Sequence, residues 1–330
     1  MHPIRKILVA VKNPHRRRHA VIDKAIRLAK TLGASVEFFH AIAEPVFLEV
    51  QPLTGHSLAE IKREALAIRQ KQLDRYIDRA CERGVASSAT VEWDFPPHEA
   101  IVRRAVRCRA DLIVAECHEG PRRRWLMRLT DWELLRASPV PVLLLKSPRP
   151  WRSNTVLAAV DPSHAHSKPS RLDSLIVEKA QQLTKALDGT LHLVHAVFPS
   201  VFGLTLGDPA IDAATLAATY EQQKATAKEH FTEFADDAKV PRKRRHVIDR
   251  DPATGIPAVA RSVRADVVVM GAVSRSGIRR LLIGNTAEQV LNDMPCDVLV
   301  VKPAHFEKRV ATAPRGMRTV TPPPLVPVPF

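Results

Sequence analysis

A chain of 330 residues with a net charge of +15 and only 5% aromatic residues is long enough for two domains, each burying its own core. Four cysteines (Cys81, Cys108, Cys117 and Cys296) show no CxxC spacing, which argues against a disulfide framework or zinc module and fits a reducing cytoplasm. No run approaches the ~20 apolar residues that span a bilayer, and Ile7–Val11 is too short for a signal-peptide core, so a soluble cytoplasmic protein is expected.

Taken in chain order, short unalternating Val/Ile/Leu runs predict strands buried on both faces near 6–11, 35–41, 90–95, 111–115 and 140–146. A second set follows near 155–160, 190–197, 244–248, 266–270 and 297–302. Helical patterns alternate with them, and the longest lie near 58–83 and 213–237, each after the second strand of its set. Such alternation implies parallel strands joined by right-handed helical crossovers.

The two sets are copies of one another. Lys30-Thr-Leu-Gly-Ala-Ser-Val-Glu-Phe-Phe-His-Ala41 parallels Lys185-Ala-Leu-Asp-Gly-Thr-Leu-His-Leu-Val-His-Ala196 at a shift of 155 residues. The same shift carries Asp94 onto Asp249, Pro97 onto Pro252 and Arg109-Ala-Asp111 onto Arg264-Ala-Asp266. The proline-bearing stretch Ser147-Pro-Arg-Pro-Trp-Arg-Ser153 neither continues a helix nor donates to a sheet there, and it marks the boundary between domains at 1–148 and 154–304. Past 304, Thr321-Pro-Pro-Pro-Leu-Val-Pro-Val-Pro-Phe330 closes a proline-rich tail, 305–330, expected to be disordered or polyproline-like.

Ile7-Leu-Val-Ala-Val11, Val156-Leu-Ala-Ala-Val160-Asp161, Arg264-Ala-Asp-Val-Val-Val-Met-Gly271, Gly284-Asn-Thr-Ala-Glu-Gln289 and Thr130-Asp-Trp-Glu-Leu-Leu-Arg136 together resemble the universal stress protein family, and the duplication resembles its tandem-domain, E-type members. The resemblance covers roughly residues 4–303. It implies two flavodoxin-like (Rossmann-like) α/β domains, each a five-stranded parallel sheet of order 3-2-1-4-5 with helices on both faces. It also implies ligands at the carboxyl ends of strands 1 and 4, and an internal pseudo-dimer in which the halves pair through their last strands.

Nucleotide-binding members of that family carry a glycine, two residues, a second glycine, nine residues, a third glycine and then Ser or Thr. Gly271 and Gly284 keep the first and third positions, whereas Ser274 replaces the middle glycine and Asn285 the hydroxyl residue before Thr286. A Cβ at Ser274 opposes the close approach of backbone to phosphate that glycine permits. Asp161 matches the family's acidic residue near adenine and ribose, and an Asp before Pro162 is equally a turn starter. In the first half Lys12 stands at that place, Glu116 replaces the first glycine and Arg128 falls opposite Gly284, so no family-type nucleotide site is expected there. The resemblance therefore allows ATP in the second half, requires no cofactor, and leaves the loop open between phosphate cradle and simple connection. Thr130 with Glu133, and Thr286 with Gln289, have the spacing of a capping box, which explains by helix initiation what the two loops share.

Ten of the surplus positive charges lie in residues 1–150, where 27 Lys and Arg face 17 Asp and Glu. Arg16-Arg17-Arg18 and Arg122-Arg123-Arg124 are candidate contacts for RNA or another polyanion, or else a solvated surface. His164-Ala-His166 has no third ligand nearby in sequence and reads as surface histidine, not a metal site. His40 and His195 recur at the ends of paired strands, which suggests a repeated structural hydrogen bond. Cys117-His118 follows a strand without any visible cause for a reactive thiol. The apolar segments 45–53 and 198–206 either seal the core or line a groove for an apolar ligand. No nucleophile elbow, metalloprotease helix or full P-loop occurs, so no catalytic residue is assigned and only slow ATP hydrolysis in the second half stays open. The expected role is a stress-response binding or adaptor module, with an ATP-responsive switch as its rival.

Overall fold

The computed structural model describes residues 3–16, 20–47, 57–117, 129–162, 171–197, 213–271, 285–303, 306 and 310–320. They fall into two compact units, an N-terminal one within Ile4–Glu116, Leu129–Val140 and Lys308–Phe330, and a C-terminal one within Met1–Pro3, Cys117–Arg128 and Pro141–Glu307.

In the N-terminal unit the parallel strands β1 (Lys6–Ala10), β2 (Ser35–Ile42), β4 (Ser87–Trp93) and β5 (Leu112–Glu116) lie in the order β4-β2-β1-β5. Ile7, Leu8 and Val9 are fully buried, as an unalternating run between two helical layers requires. Helix α1 (Ala20–Leu32) buries Val21, Ile22, Ala25, Ile26, Leu28 and Ala29 on one stripe. Helix α2 (Leu58–Cys81) buries only Leu73, Tyr76 and Ala80. It opens with a true capping box: the Glu60 amide donates to Ser57 Oγ at 3.2 Å and the Ser57 amide to Glu60 Oε2 at 2.8 Å. Helices α3 (Pro97–Arg107) and α4 (Leu129–Ala137) complete the unit with a short strand, β3 (Val46–Phe47).

The C-terminal unit contains β6 (Val142–Leu145), β7 (Thr155–Ala159), α5 (Leu172–Leu187), β8 (Thr190–Ala196), α6 (Ala213–Asp237), β9 (Arg245–Ile248), α7 (Pro252–Ser262), β10 (Val267–Gly271), α8 (Asn285–Asp293) and β11 (Asp297–Val301). Its sheet runs β9-β8-β7-β10-β11, which is the third, second, first, fourth and fifth strand of the second repeat. Strand β6, the last of the first repeat, belongs to this unit and pairs antiparallel with β11 through Leu144 opposite Val298 and Val142 opposite Val300. Asp297 fixes the linker that follows β6, accepting from the amides of Lys146 (2.8 Å) and Ser147 (3.0 Å) and from Trp151 Nε1 (2.7 Å). Lys146 Nζ donates to the Leu291 and Asn292 carbonyls at the end of α8, where a cation suits the dipole.

The repeated Arg-Ala-Asp triplet is a stop-and-start device. Arg109 and Arg264 adopt left-handed φ of 54° and 51°, each following the single capping residue, Cys108 or Val263, that ends α3 or α7. The next amides, of Ala110 and Ala265, close back onto the Ala105 and Ala260 carbonyls at 2.8 Å. Asp111 Oδ2 then accepts the amides of Arg5 and Lys6 at the mouth of β1, and Asp266 Oδ2 accepts that of Asn154 before β7.

Two expectations change. Thr130 and Thr286 are each already the second residue of a helix, so neither serves as the N-cap of a box; Glu133 instead accepts from Arg136 at 2.9 Å. Residues 310–320, expected to be part of a disordered tail, instead lie against the N-terminal unit, where β12 (Thr319–Val320) pairs in parallel with β3. The cause is a pair of carboxylates in the N-terminal unit that hold Arg315, described below.

Candidate functional site at the strand ends

In the C-terminal unit the carboxyl ends of β7 and β10 are neighbours, because Ala159 pairs with Met270. That places Asp161, just past β7, near the end of the sheet where Gly271 closes β10. Both come from the expected site. The Asp161 amide donates to Asp173 Oδ1 at 3.0 Å, with Asp173 buried in the first turn of α5, where a carboxylate suits the dipole. His195, at the end of β8, reaches the Val160 carbonyl through Nδ1 at 3.1 Å, and the same nitrogen lies 3.8 Å from Asp161 Oδ1. A carbonyl only accepts, so the proton is assigned to Nδ1. The ring stacks on Phe231 of α6 at 5.6 Å. Asp161 thus has its amide held by one carboxylate and its own carboxylate 3.8 Å from an imidazole at the end of β7.

Gly271 has a packing reason to be glycine. A Cβ there would fall 2.7 Å from Leu172 Cδ2 and 3.1 Å from Ile176 Cδ1, inside van der Waals contact. Its backbone is close to α5 whether or not a phosphate approaches it. Asn285 and Thr286 form the start of α8, while Ser274 and Gly284 lie outside the described residues, as do the histidines 164 and 166 and the apolar segment 198–206.

The equivalent end of the N-terminal unit differs in charge and in filling. His40 repeats the contact of His195, its Nδ1 donating to the Val11 carbonyl at 2.7 Å. Burial is the main reason its pKa sits below the ordinary value, with the carbonyl bond opposing that shift. Glu116, ending β5 where a glycine would be needed, lies 3.9 Å from Arg16. The Tyr76 hydroxyl donates to the Arg16 carbonyl at 2.7 Å and pins the stretch after β1 onto α2. Of the candidate polyanion contacts, Arg16 is therefore described and half-exposed beside an acid, and Arg17, Arg18, Arg122, Arg123 and Arg124 lie outside the described residues. Cys117 is buried.

Asp173 and Phe231 were not legible as partners of this site. Neither stands in a motif, and only the packing of α5 and α6 brings them to the end of β7. Among the described residues no group of three metal-ligating side chains converges, and no helix is long and apolar enough to cross a membrane.

Comparison with known proteins accounts for this architecture. The model of the universal stress protein family matches residues 3–146 and again 153–302. Universal stress protein E of Salmonella typhi is 26% identical over 307 residues, 92% of this chain and 96% of that one, and its counterpart in Escherichia coli strain K12 is 25% identical over the same shares. A protein of unknown function from Pseudomonas aeruginosa PAO1 superposes with a TM-score of 0.66 at 26% identity, covering 91% of this chain and 93% of its own. A universal stress protein from Archaeoglobus fulgidus DSM 4304, at TM-score 0.56 and 16% identity, covers 91% of this chain and 97% of its own and shares the fold. With both halves matched from the first strand to the last, the chain belongs to the universal stress protein family.

Proposed function

We propose that the protein is a cytoplasmic, non-catalytic stress-response module that works by binding partners, and that nucleotide is held at most weakly, and only in its second half. The observation that carries the nucleotide part of this reading is the closeness of Gly271 to Leu172 and Ile176: packing gives the first glycine of the nucleotide pattern a reason that needs no phosphate. Glu116 at the matching place in the first half adds a carboxylate where a phosphate would have to sit, which disfavours nucleotide there. The β6–β11 ladder supports the idea that the two repeats form an internal pseudo-dimer.

The rival, an ATP-responsive switch, draws support from the placement of Asp161 and Gly271 at the ends of adjacent strands. Isothermal titration of the full chain with ATP separates the two. Poor or undetectable binding is expected, with a gain on Ser274→Gly plus Asn285→Ser and loss of that gain on adding Asp161→Ala. Tight binding by the native chain would establish the switch instead.

A further inference from the structure

At the carboxyl end of β4 the N-terminal unit holds an acidic box. Asp94 is fully buried and gripped by Arg103, whose Nε meets Oδ2 at 2.7 Å and whose second terminal nitrogen meets Oδ1 at 2.8 Å. Asp94 Oδ1 also accepts the Phe95 amide. Glu99, one turn before Arg103 on α3, accepts from the same guanidinium at 2.9 Å and stays partly exposed. Two carboxylates therefore share one internal arginine, leaving a single negative charge at the surface.

Segment 310–320 answers that charge. The Arg315 amide donates to Asp94 Oδ1 at 2.9 Å, and its guanidinium reaches Glu99 Oε2 at 2.8 Å and lies 5.9 Å from the centre of the Phe95 ring. Gly316 follows at φ 76°, a left-handed conformation that turns the chain toward β3 and that favours glycine. The Val46 amide then donates to the Arg318 carbonyl at 2.8 Å, and Thr319 and Val320 pair with Val46 and Phe47.

This mode is strand addition with one side-chain anchor, in which main-chain bonds supply affinity and the anchor supplies selectivity. The occupant lies at the surface, with residues 311–315, 318 and 319 exposed, whereas Asp94 and Arg103 beneath it are fully buried. The second repeat keeps only one element of the box. Asp249 stands at the place of Asp94, but Thr254 and Ala258 replace Glu99 and Arg103 at the shift of 155, and Asp249 bonds instead to Tyr220 and Lys224.

We infer that the acidic box with the edge of β3 is a peptide-docking site, occupied in cis by 310–320, that takes an extended Arg-Gly-bearing segment of a partner protein when the cis segment leaves. The recognised chemistry is an arginine whose amide reaches Asp94 while its guanidinium reaches Glu99, then a glycine, then a short strand. It gives the proposed binding role a surface, rests on that role only in supposing a partner, and is independent of nucleotide in the other unit.

The test uses full-length protein and a fluorescein-labelled peptide of sequence 310–320, read by anisotropy. Arg315→Glu should free the box by setting a like charge against Glu99, and this variant should bind the peptide at least about tenfold more tightly than the native chain, in which the tethered segment competes at high effective concentration. A peptide with Gln in place of its Arg315 should bind at least about tenfold more weakly. Hydrogen exchange at the Val46 amide reports the cis segment directly and should quicken in Arg315→Glu and in Glu99→Gln, with β1 and β5 unchanged. An Arg315→Glu chain that binds no peptide, binding indifferent to the peptide arginine, or unchanged Val46 exchange would each overturn the assignment. ATP titration of the same variants keeps this result separate from the nucleotide question.

Discussion

Arg103 and Asp94 form a two-bond ion pair with both side chains at 0% exposure. Removing one partner of such a pair leaves an uncompensated buried charge, so Arg103→Ala should destabilise the N-terminal unit by about 3–5 kcal/mol. Replacing both residues with leucine should cost much less, because no fully buried charge is then left unpaired and the partly exposed Glu99 keeps its ion pair with Arg315. Urea unfolding followed by circular dichroism measures both, and a single variant within about 1 kcal/mol of native would show that water reaches the vacated carboxylate.

Gly271→Ala should destabilise the C-terminal unit by about 1–3 kcal/mol by forcing a methyl group against Leu172. Leu172→Ala in the same chain should recover part of that loss, and the coupling in a double-mutant cycle isolates the contact. Additive effects would remove the packing explanation of this glycine and return it to the phosphate question.

Protonation of His40 should weaken the fold in acid. Its folded pKa is depressed, chiefly by burial, so the unfolded chain binds the proton more readily. The stabilisation is fully present above the unfolded value near 6.5 and is lost as pH falls from there through the folded pKa. His98, His192 and His246 are shifted the same way by burial, and each adds to the slope. Unfolding midpoints should hold between pH 8 and 7 and fall below about 6.5, and His40→Gln should reduce the acid slope by up to ~1.4 kcal/mol per pH unit. An unchanged slope would place the acid sensitivity elsewhere.

If the arginine clusters meet RNA, log affinity should fall linearly with log salt irrespective of sequence. Changing Arg16-Arg17-Arg18 and Arg122-Arg123-Arg124 to glutamine should flatten that slope by about 0.7 for each arginine that meets a phosphate of a single strand. Arg16 is expected to contribute least, since Glu116 already lies 3.9 Å from it. No binding at low salt, or an unaltered slope, would leave these clusters as solvated surface.

The strands and helices were legible because a doubly covered parallel strand must be apolar at successive positions: Ile7-Leu-Val-Ala-Val11 and Val156-Leu-Ala-Ala-Val160 announce themselves without any knowledge of their neighbours. The long helices near 58–83 and 213–237 appear as Leu58–Cys81 and Ala213–Asp237. The bond made by His40 and His195 was also foreseeable, since recurrence at equivalent strand ends implies one shared local geometry.

Pairing between distant segments carries no such local mark. Val142-Leu-Leu-Leu145 reads as a buried strand, and only the fold decides that its antiparallel partner is β11. Asp94 and Asp249 look equivalent in the repeat, yet one is sealed beneath Arg103 and the other is half-exposed beside Lys224, because α7 carries Thr254 and Ala258 where α3 carries Glu99 and Arg103. Proline content made the tail read as disordered, a judgement drawn from composition. The bonds that hold Arg315 join residues more than 200 positions apart, and burial of Asp94 against α3 is what leaves a carboxylate oxygen in place to receive it. Periodicity is written in neighbouring residues and so survives in the sequence; charge complementarity across such a separation exists only after the chain has closed.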